Sequence, residues 1–181
     1  MKKAIFLLLG ILAVSCNKKE PTAQSDLPFF FFDQIDYYHK TISDDTINAI
    51  IKKQNKSRKE QGLLQIIKGK VPVSTLDTLF INNMEILAFE KETLPKTLNA
   101  KISHLFSLRT VEKPDYPACE KVYRTILVFR NKNKIIGIAK ISSDCSLNSI
   151  VGARYDAAQF GLSGEYKELQ EILSKLKKQT H

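Results

Sequence analysis

The sequence predicts an α+β domain, in which a small, mostly antiparallel sheet packs with several helices. The sheet is expected to combine an N-terminal strand with a hairpin in the C-terminal half. Aromatic and β-branched residues open the folded part, apolar residues at helical spacing fill the middle, and two β-rich runs then flank an Asn-rich tip. A chain of 181 residues is long enough for one such domain with a substantial core.

The first predicted strand covers residues 30–41, which are rich in aromatic and β-branched side chains. Four consecutive phenylalanines occupy positions 29–32. We interpret this run as part of a strand buried on both faces. The alternative is an exposed patch that contacts a partner.

Helices are predicted for most of the middle of the chain. Ser43 is suited to cap the first, which is expected to end near Lys56, and a second covers residues 58–68 before Gly69 and Pro72. A third is expected over residues 75–81, and the rest of 74–91 is open between helix and strand. A fourth begins at Pro95.

The later part of the chain reads as a loop, a hairpin and a final helix. Residues 110–118 contain two prolines and indicate the loop. The hairpin pairs residues 122–130 with 134–141 around the tip Asn131-Lys132-Asn133. A short strand at 148–153 and an amphipathic helix from about Ser163 complete the domain. His104 lies off the apolar stripe of its helix and is expected to be exposed.

The N-terminus is typical of an export signal. Lys2 and Lys3 precede an apolar run from Ala4 to Val14, and the small Ser15 precedes Cys16. A membrane-spanning helix needs roughly 20 apolar residues, so this run is too short to cross a bilayer. An N-terminal anchor helix is the alternative interpretation.

Residues 12–16, with the sequence LAVSC, resemble the lipobox of bacterial lipoproteins. The resemblance implies cleavage before Cys16, a diacylglycerol on its sulfur and acylation of the new amine; Ala13 stands where that family prefers Leu. We therefore expect a signal peptide at 1–15, a flexible tether at 16–26 and a single α+β domain at 27–181. Asn17 stands where the enteric family has Asp for inner-membrane retention, which favours the outer membrane.

Cys119 and Cys145 remain after Cys16 is assigned to lipid, and an even pair in an oxidising compartment favours a disulfide. The hairpin gives a second reason. With a three-residue loop Arg130 faces Lys134, and the same register places Cys119 opposite Cys145, where Cβ atoms lie about 4.5–5.5 Å apart. A two-residue loop would place Cys145 beside Glu120 instead, and two free thiols are the alternative.

The same register places Arg124 directly opposite Lys140. Like charges that face each other on a sheet are destabilising. Either an acid lies between them, or they face solvent, or they bind an anion. Arg124 and Lys140 are thus the residues for which an anion-binding site is predicted.

No motif identifies a reaction. The sequence lacks HExxH, a Gly-rich phosphate loop, CxxC and GxSxG, and Glu165 breaks the last pattern around Ser163. His39, His104 and the two cysteines are too scattered for a typical zinc site or an evident Cys/His pair. Paired carboxylates among the 19 acids are not identifiable. We predict no catalytic residues, no metal and no cofactor.

The net charge of +9 comes mainly from lysines that are spread along the chain. Nucleic acid is a poor partner for an exported protein, so these lysines indicate a solvated surface or attraction to anionic lipid or polysaccharide. The predicted function is a lipid-anchored cell-envelope protein that is a non-enzymatic binding module. Its expected partners are the membrane, through lipid on Cys16, and another envelope protein or an anionic envelope component. An envelope hydrolase and an immunity or inhibitor lipoprotein are the alternatives.

Overall fold

The computed structural model describes residues 27–109 and 118–177. The predicted signal peptide, the predicted tether and Cys16 lie outside the described residues, as does nearly all of the loop predicted at 110–118. The described residues form five strands and five helices: β1 (Gln34–His39), α1 (Asp44–Lys52), α2 (Arg58–Ile67), α3 (Thr78–Ile86), β2 (Glu90–Thr93), α4 (Asn99–Leu105), β3 (Thr125–Asn131), β4 (Lys134–Ser142), β5 (Leu147–Val151) and α5 (Glu165–Lys177). The predicted α+β class is confirmed.

The strands form one antiparallel sheet in the order β2-β1-β3-β4-β5. Successive side chains of a strand point to opposite faces. In β3, Ile126 and Val128 pack with buried residues of α1, α2 and α3, whereas Leu127 and Phe129 pack with those of α4 and α5. The sheet is therefore the middle of three layers and separates two apolar cores.

The phenylalanine run lies before β1 and is not the doubly buried strand that we predicted. Phe29 and Phe30 are buried, Phe32 is half-buried, and 58% of Phe31 is exposed. Phe30 stacks on Phe129 with ring centroids 4.3 Å apart, which explains its burial. The pairing of β1 with β3 begins only at Gln34, which faces Arg130.

Side-chain caps determine where the helices begin. Ser43 Oγ accepts the N–H of Thr46 at 3.2 Å, as expected for the cap of α1, but that helix ends at Lys52, before the predicted Lys56. Ser57 and Glu60 form a reciprocal capping box at α2. Asp77 caps α3, so this helix begins three residues later than predicted and continues past Ile81.

The hairpin turn has two residues, and the predicted three-residue loop is wrong. Lys132 and Asn133 have φ of 47° and 65°, the left-handed conformations of a tight turn. The register also shifts between Phe129 and Arg130. At the start of β3, away from the turn, Thr125 therefore faces Ile141.

The turn defines two ends of the sheet. We call the end that carries it the hairpin end, where β1 begins and β5 finishes. The opposite end, where β3 begins and β4 finishes, is the disulfide end.

Candidate functional site

The predicted disulfide is present at the disulfide end. Cys119 is bonded to Cys145, with Cα atoms 5.8 Å apart, which is within the usual range for a disulfide. The two residues are not cross-strand partners, however, because Cys119 precedes β3 and Cys145 lies in the turn after β4. Val122 N–H donates to Ser142 Oγ at 3.0 Å, which helps to hold the two segments side by side.

Arg124 lies beside the disulfide and already has two carboxylate partners. Its Nη1 donates to Asp144 at 2.9 Å, its Nη2 to Asp44 at 2.5 Å, and its Nε to the Ile42 carbonyl at 3.0 Å. An anion that bound Arg124 would compete with these acids. Both acids pair with Arg124 alone, so neither is the acid between Arg124 and Lys140 that was one of the three expected outcomes.

Lys140 does not face Arg124, so that part of the prediction is wrong. It pairs with Ile126, its side chain is fully buried, and its Nζ donates to the carbonyls of Gly69 at 2.9 Å and Val71 at 2.6 Å. Nζ also lies 4.5 Å from the centre of a buried tyrosine ring, that of Tyr123. The structure does not bring the two predicted anion-binding residues together on one surface.

The pKa of Lys140 is lowered to about 7, first by burial and then by the positive charge of Lys121. Burial disfavours the charged form of an amine, and the two carbonyls compensate only in part. The interaction ties the segment after α2 to the middle of β4. Lys140 is therefore a structural residue of the sheet core.

A second buried charge lies on the same face of the sheet, nearer the β2 edge. Asp36 accepts hydrogen bonds from Arg130 at 2.8 Å, Gln34 at 2.8 Å and Thr93 at 3.0 Å, and Lys91 lies 3.7 Å away. Burial raises the pKa of Asp36, but these hydrogen bonds and the lysine charge outweigh it, so the pKa is lower than usual. This network joins β1, β2 and β3 and leaves the carboxylate no access to solvent.

A small cavity opens between the disulfide end and α5. Its volume is about 250 Å³, and Tyr37, Ile141 and Leu173 contribute apolar walls while His39, Arg124 and Asp144 supply polar groups. Pockets for drug-sized ligands usually measure 300–1,000 Å³, so this cavity suits only a small molecule. Of the two histidines considered from the sequence, His39 lines the cavity, whereas His104 is exposed on α4.

A larger groove of about 390 Å³ runs between α2 and α3. Ile86 and Leu87 form its apolar wall, Gly62 is its floor, and Arg58 and Lys59 lie at one end. Ile86 is 63% exposed, and Leu79, on the same face of α3 two turns earlier, is 69% exposed. Exposed apolar side chains that share one helix face indicate a contact surface.

Sequence reasoning missed this groove because α3 is apolar on two sides. Phe80, Ile81 and Met84 are buried beneath it, whereas Leu79 and Ile86 point outward. The exposed side of α3 also carries Asn82, Asn83 and Glu85, so no apolar stripe in the sequence marks an outward face.

Comparisons with protein-family models, with curated proteins and with solved structures find no match for this chain. Among the residues that the structure describes, no helix is both long and apolar enough to cross a bilayer.

Proposed function

We propose that this chain is a lipoprotein of the bacterial cell envelope whose folded domain binds another envelope protein through the groove between α2 and α3. Lipid on Cys16 holds it to the membrane, which we propose is the outer membrane, and the domain acts by binding without catalysis. The observation that carries the binding role is the pair of exposed apolar side chains on α3, Ile86 in the groove and Leu79 two turns earlier.

The groove suggests the chemistry of the partner. Its apolar wall is suited to aliphatic or aromatic side chains. Arg58 and Lys59 are exposed at one end, and among the described residues neither has a carboxylate partner. The partner segment is therefore expected to combine apolar residues with at least one acid, because complementary charges set orientation and specificity.

Gly62 supports the same proposal. A glycine inside a helix costs about 0.5–1 kcal/mol relative to alanine. A Cβ placed on Gly62 would lie 3.7 Å from Leu87 Cδ1, an ordinary contact, so packing within the chain does not require glycine. The missing side chain instead keeps the groove floor open for the close approach of another chain.

Photo-crosslinking in intact cells tests the groove. A benzoylphenylalanine at Gln65, which is exposed and lines the groove, is expected to capture one discrete envelope protein. Lys167 on α5, which packs on the opposite core, is the matched control position and is expected to capture none. Ile86→Asp should abolish the crosslinked product obtained from Gln65. If Gln65 and Lys167 gave the same crosslinked products, the groove would not be the interface.

A charge exchange then tests the partner's chemistry. Arg58→Glu is expected to weaken the complex, because it places a like charge against the partner's acid. Replacing the acid nearest to the crosslinked site of the partner by lysine should restore the complex with Arg58→Glu. If the two changes were simply additive, the charge pair would not exist.

The cavity beside α5 favours a second candidate, an envelope hydrolase. It brings His39 near Asp144 and Ser143, which are the residue types that hydrolases use for proton transfer and nucleophilic attack. Asp144 is already paired with Arg124, and the cavity is small, so we rank this function below binding. If His39→Ala removed the biological role without loss of folding, the hydrolase would become the preferred function.

A further inference from the structure

We infer that the hairpin end of the sheet lies against the lipid bilayer, with Phe31, Val73 and Leu76 inserted among the lipids. This inference rests on the proposed lipid anchor and adds an orientation to it. The three side chains are 58%, 79% and 85% exposed, which is unusual for large apolar residues outside an interface.

The three apolar residues belong to one end of the molecule. The carbonyl of Phe31 accepts a hydrogen bond from Asn131 in the hairpin at 2.8 Å. Thr75, next to Leu76, packs its methyl group against Gly152, which directly follows β5. Since the hairpin and the finish of β5 share the same end of the sheet, Phe31 and the segment 73–76 lie at that end together.

The chain enters the domain at this end. Leu27, the first described residue, precedes the pairing of Pro28 with Ser107, and the carbonyl of Phe29 accepts the N–H of Arg154 at 3.0 Å. Ten residues separate Cys16 from Leu27, and random-coil scaling gives ten residues a reach of about 18 Å. The nine residues of β4 extend about 30 Å at roughly 3.3 Å per residue, so the tether keeps the hairpin end, rather than the disulfide end, close to the lipids.

Cationic side chains surround the apolar ones. Lys132, Lys134 and Arg154 are exposed there, and the Arg154 guanidinium stacks 4.2 Å from the centre of the Phe31 ring. An aromatic ring beside a basic group is suited to the boundary between acyl chains and headgroups. Two acids, Asp33 and Asp77, lie in the same region and accept backbone N–H groups. Because acids as well as bases are present, apolar insertion is the main source of binding, and the basic residues lie at the headgroups.

Fluorescence in vesicles tests this orientation with the full lipidated chain. The vesicles contain equal parts of phosphatidylcholine and phosphatidylglycerol, and an environment-sensitive dye is attached at Leu76→Cys. The dye is expected to shift to the blue and to be quenched by brominated acyl chains. The control dye at Asp45→Cys, which neighbours Asp44 at the disulfide end, is expected to report water.

Two further variants separate the possible failures. In the unlipidated Cys16→Ala chain, Leu76→Asp is expected to lower vesicle partitioning by about tenfold or more, since burying one leucine is worth about one to two powers of ten. Ile86→Asp, the same change on the outer face of α3, should have no effect. If the lipidated chain is vesicle-bound but the Leu76 dye reports water, the orientation is wrong; if Cys16 carries no lipid, the anchor itself is wrong.

Discussion

The free energy of unfolding should increase as the pH rises above 7. Replacing Lys140 by methionine should remove most of this increase. Lys140 is buried, with a folded-state pKa of about 7 against an ordinary value of 10.5. Between these two values the unfolded chain holds a proton at this amine that the folded chain lacks. The free energy of unfolding therefore increases as the pH rises from 7 towards 10.

The size of the effect follows from the two pKa values. Each pH unit in this window is worth up to about 1.4 kcal/mol, and integration from pH 7 to pH 9 gives about 2 kcal/mol. Methionine has a similar length and no charge, so Lys140→Met leaves no titrating group at this position. Tyr37 and Tyr166, whose pKa values are raised to about 12 by burial, act in the opposite direction but only above pH 10.

Urea unfolding at pH 7, 8 and 9 measures this contribution. Subtracting the free energy of unfolding of Lys140→Met from that of the wild type cancels the contributions of all titrating groups that the two proteins share. We expect the wild type to gain about 2 kcal/mol relative to the variant across this range. Parallel pH dependences of the two proteins would refute the reasoning, because they would mean that the amine is charged in the folded state.

Three other predictions concern the anchor, the crosslink and the buried carboxylate. Cys16→Ala should abolish incorporation of a clickable fatty acid in cells, and equal labelling of wild type and variant would contradict the anchor. The Cys119→Ala/Cys145→Ala variant should lose about 3.5 kcal/mol of stability, which is the chain-entropy value for a separation of 26 residues. Mass spectrometry of the wild-type protein after alkylation without reduction should find no label on Cys119 or Cys145. Asp36→Asn should cost about 3–5 kcal/mol at pH 7, because Arg130 would lose its buried counter-charge. The lowered pKa of Asp36 means that this cost should shrink as the pH falls below about 4, and an undiminished cost in acid would exclude the ion pair as its cause.

Much of the local structure was predictable from the sequence. Ser43 caps α1 as expected, and the apolar spacing of α2 and α5 predicts the faces that they bury. The capping box at Ser57 and Glu60 also follows from the sequence, where it is the pattern S-x-x-E. Caps and periodicity are local because each depends on residues within about one helical turn.

Strand β2 was not identified, and its residues explain why. The sequence EKET is polar at every position and shows no alternation of apolar residues. It becomes a strand because β1 offers it an unpaired edge, with Tyr38 facing Lys91. An edge strand of this kind is determined by its neighbour in the sheet, which is distant in sequence.

The disulfide shows how a correct result can follow from a wrong register. We expected Cys119 and Cys145 to face each other across a regular hairpin. The two-residue turn and the shift near Phe129 move the register, and the bond instead forms between a segment before β3 and a turn after β4. The compartment argument for the pair does not depend on the register, and the oxidising compartment itself stays a prediction.

By itself the sequence determined the fold class, the cap of α1 at Ser43, the start of α2 at Arg58, the pairing of the hairpin strands and the preference for a cysteine crosslink. The tertiary structure alone decided that Lys140 is buried, that Arg124 meets two acids and that Ile86 and Leu76 remain exposed. The physical reason is the separation along the chain of the residues that interact. Caps, turns and periodicity depend on residues a few positions apart, whereas burial and charge partners depend on which distant segments the sheet brings alongside.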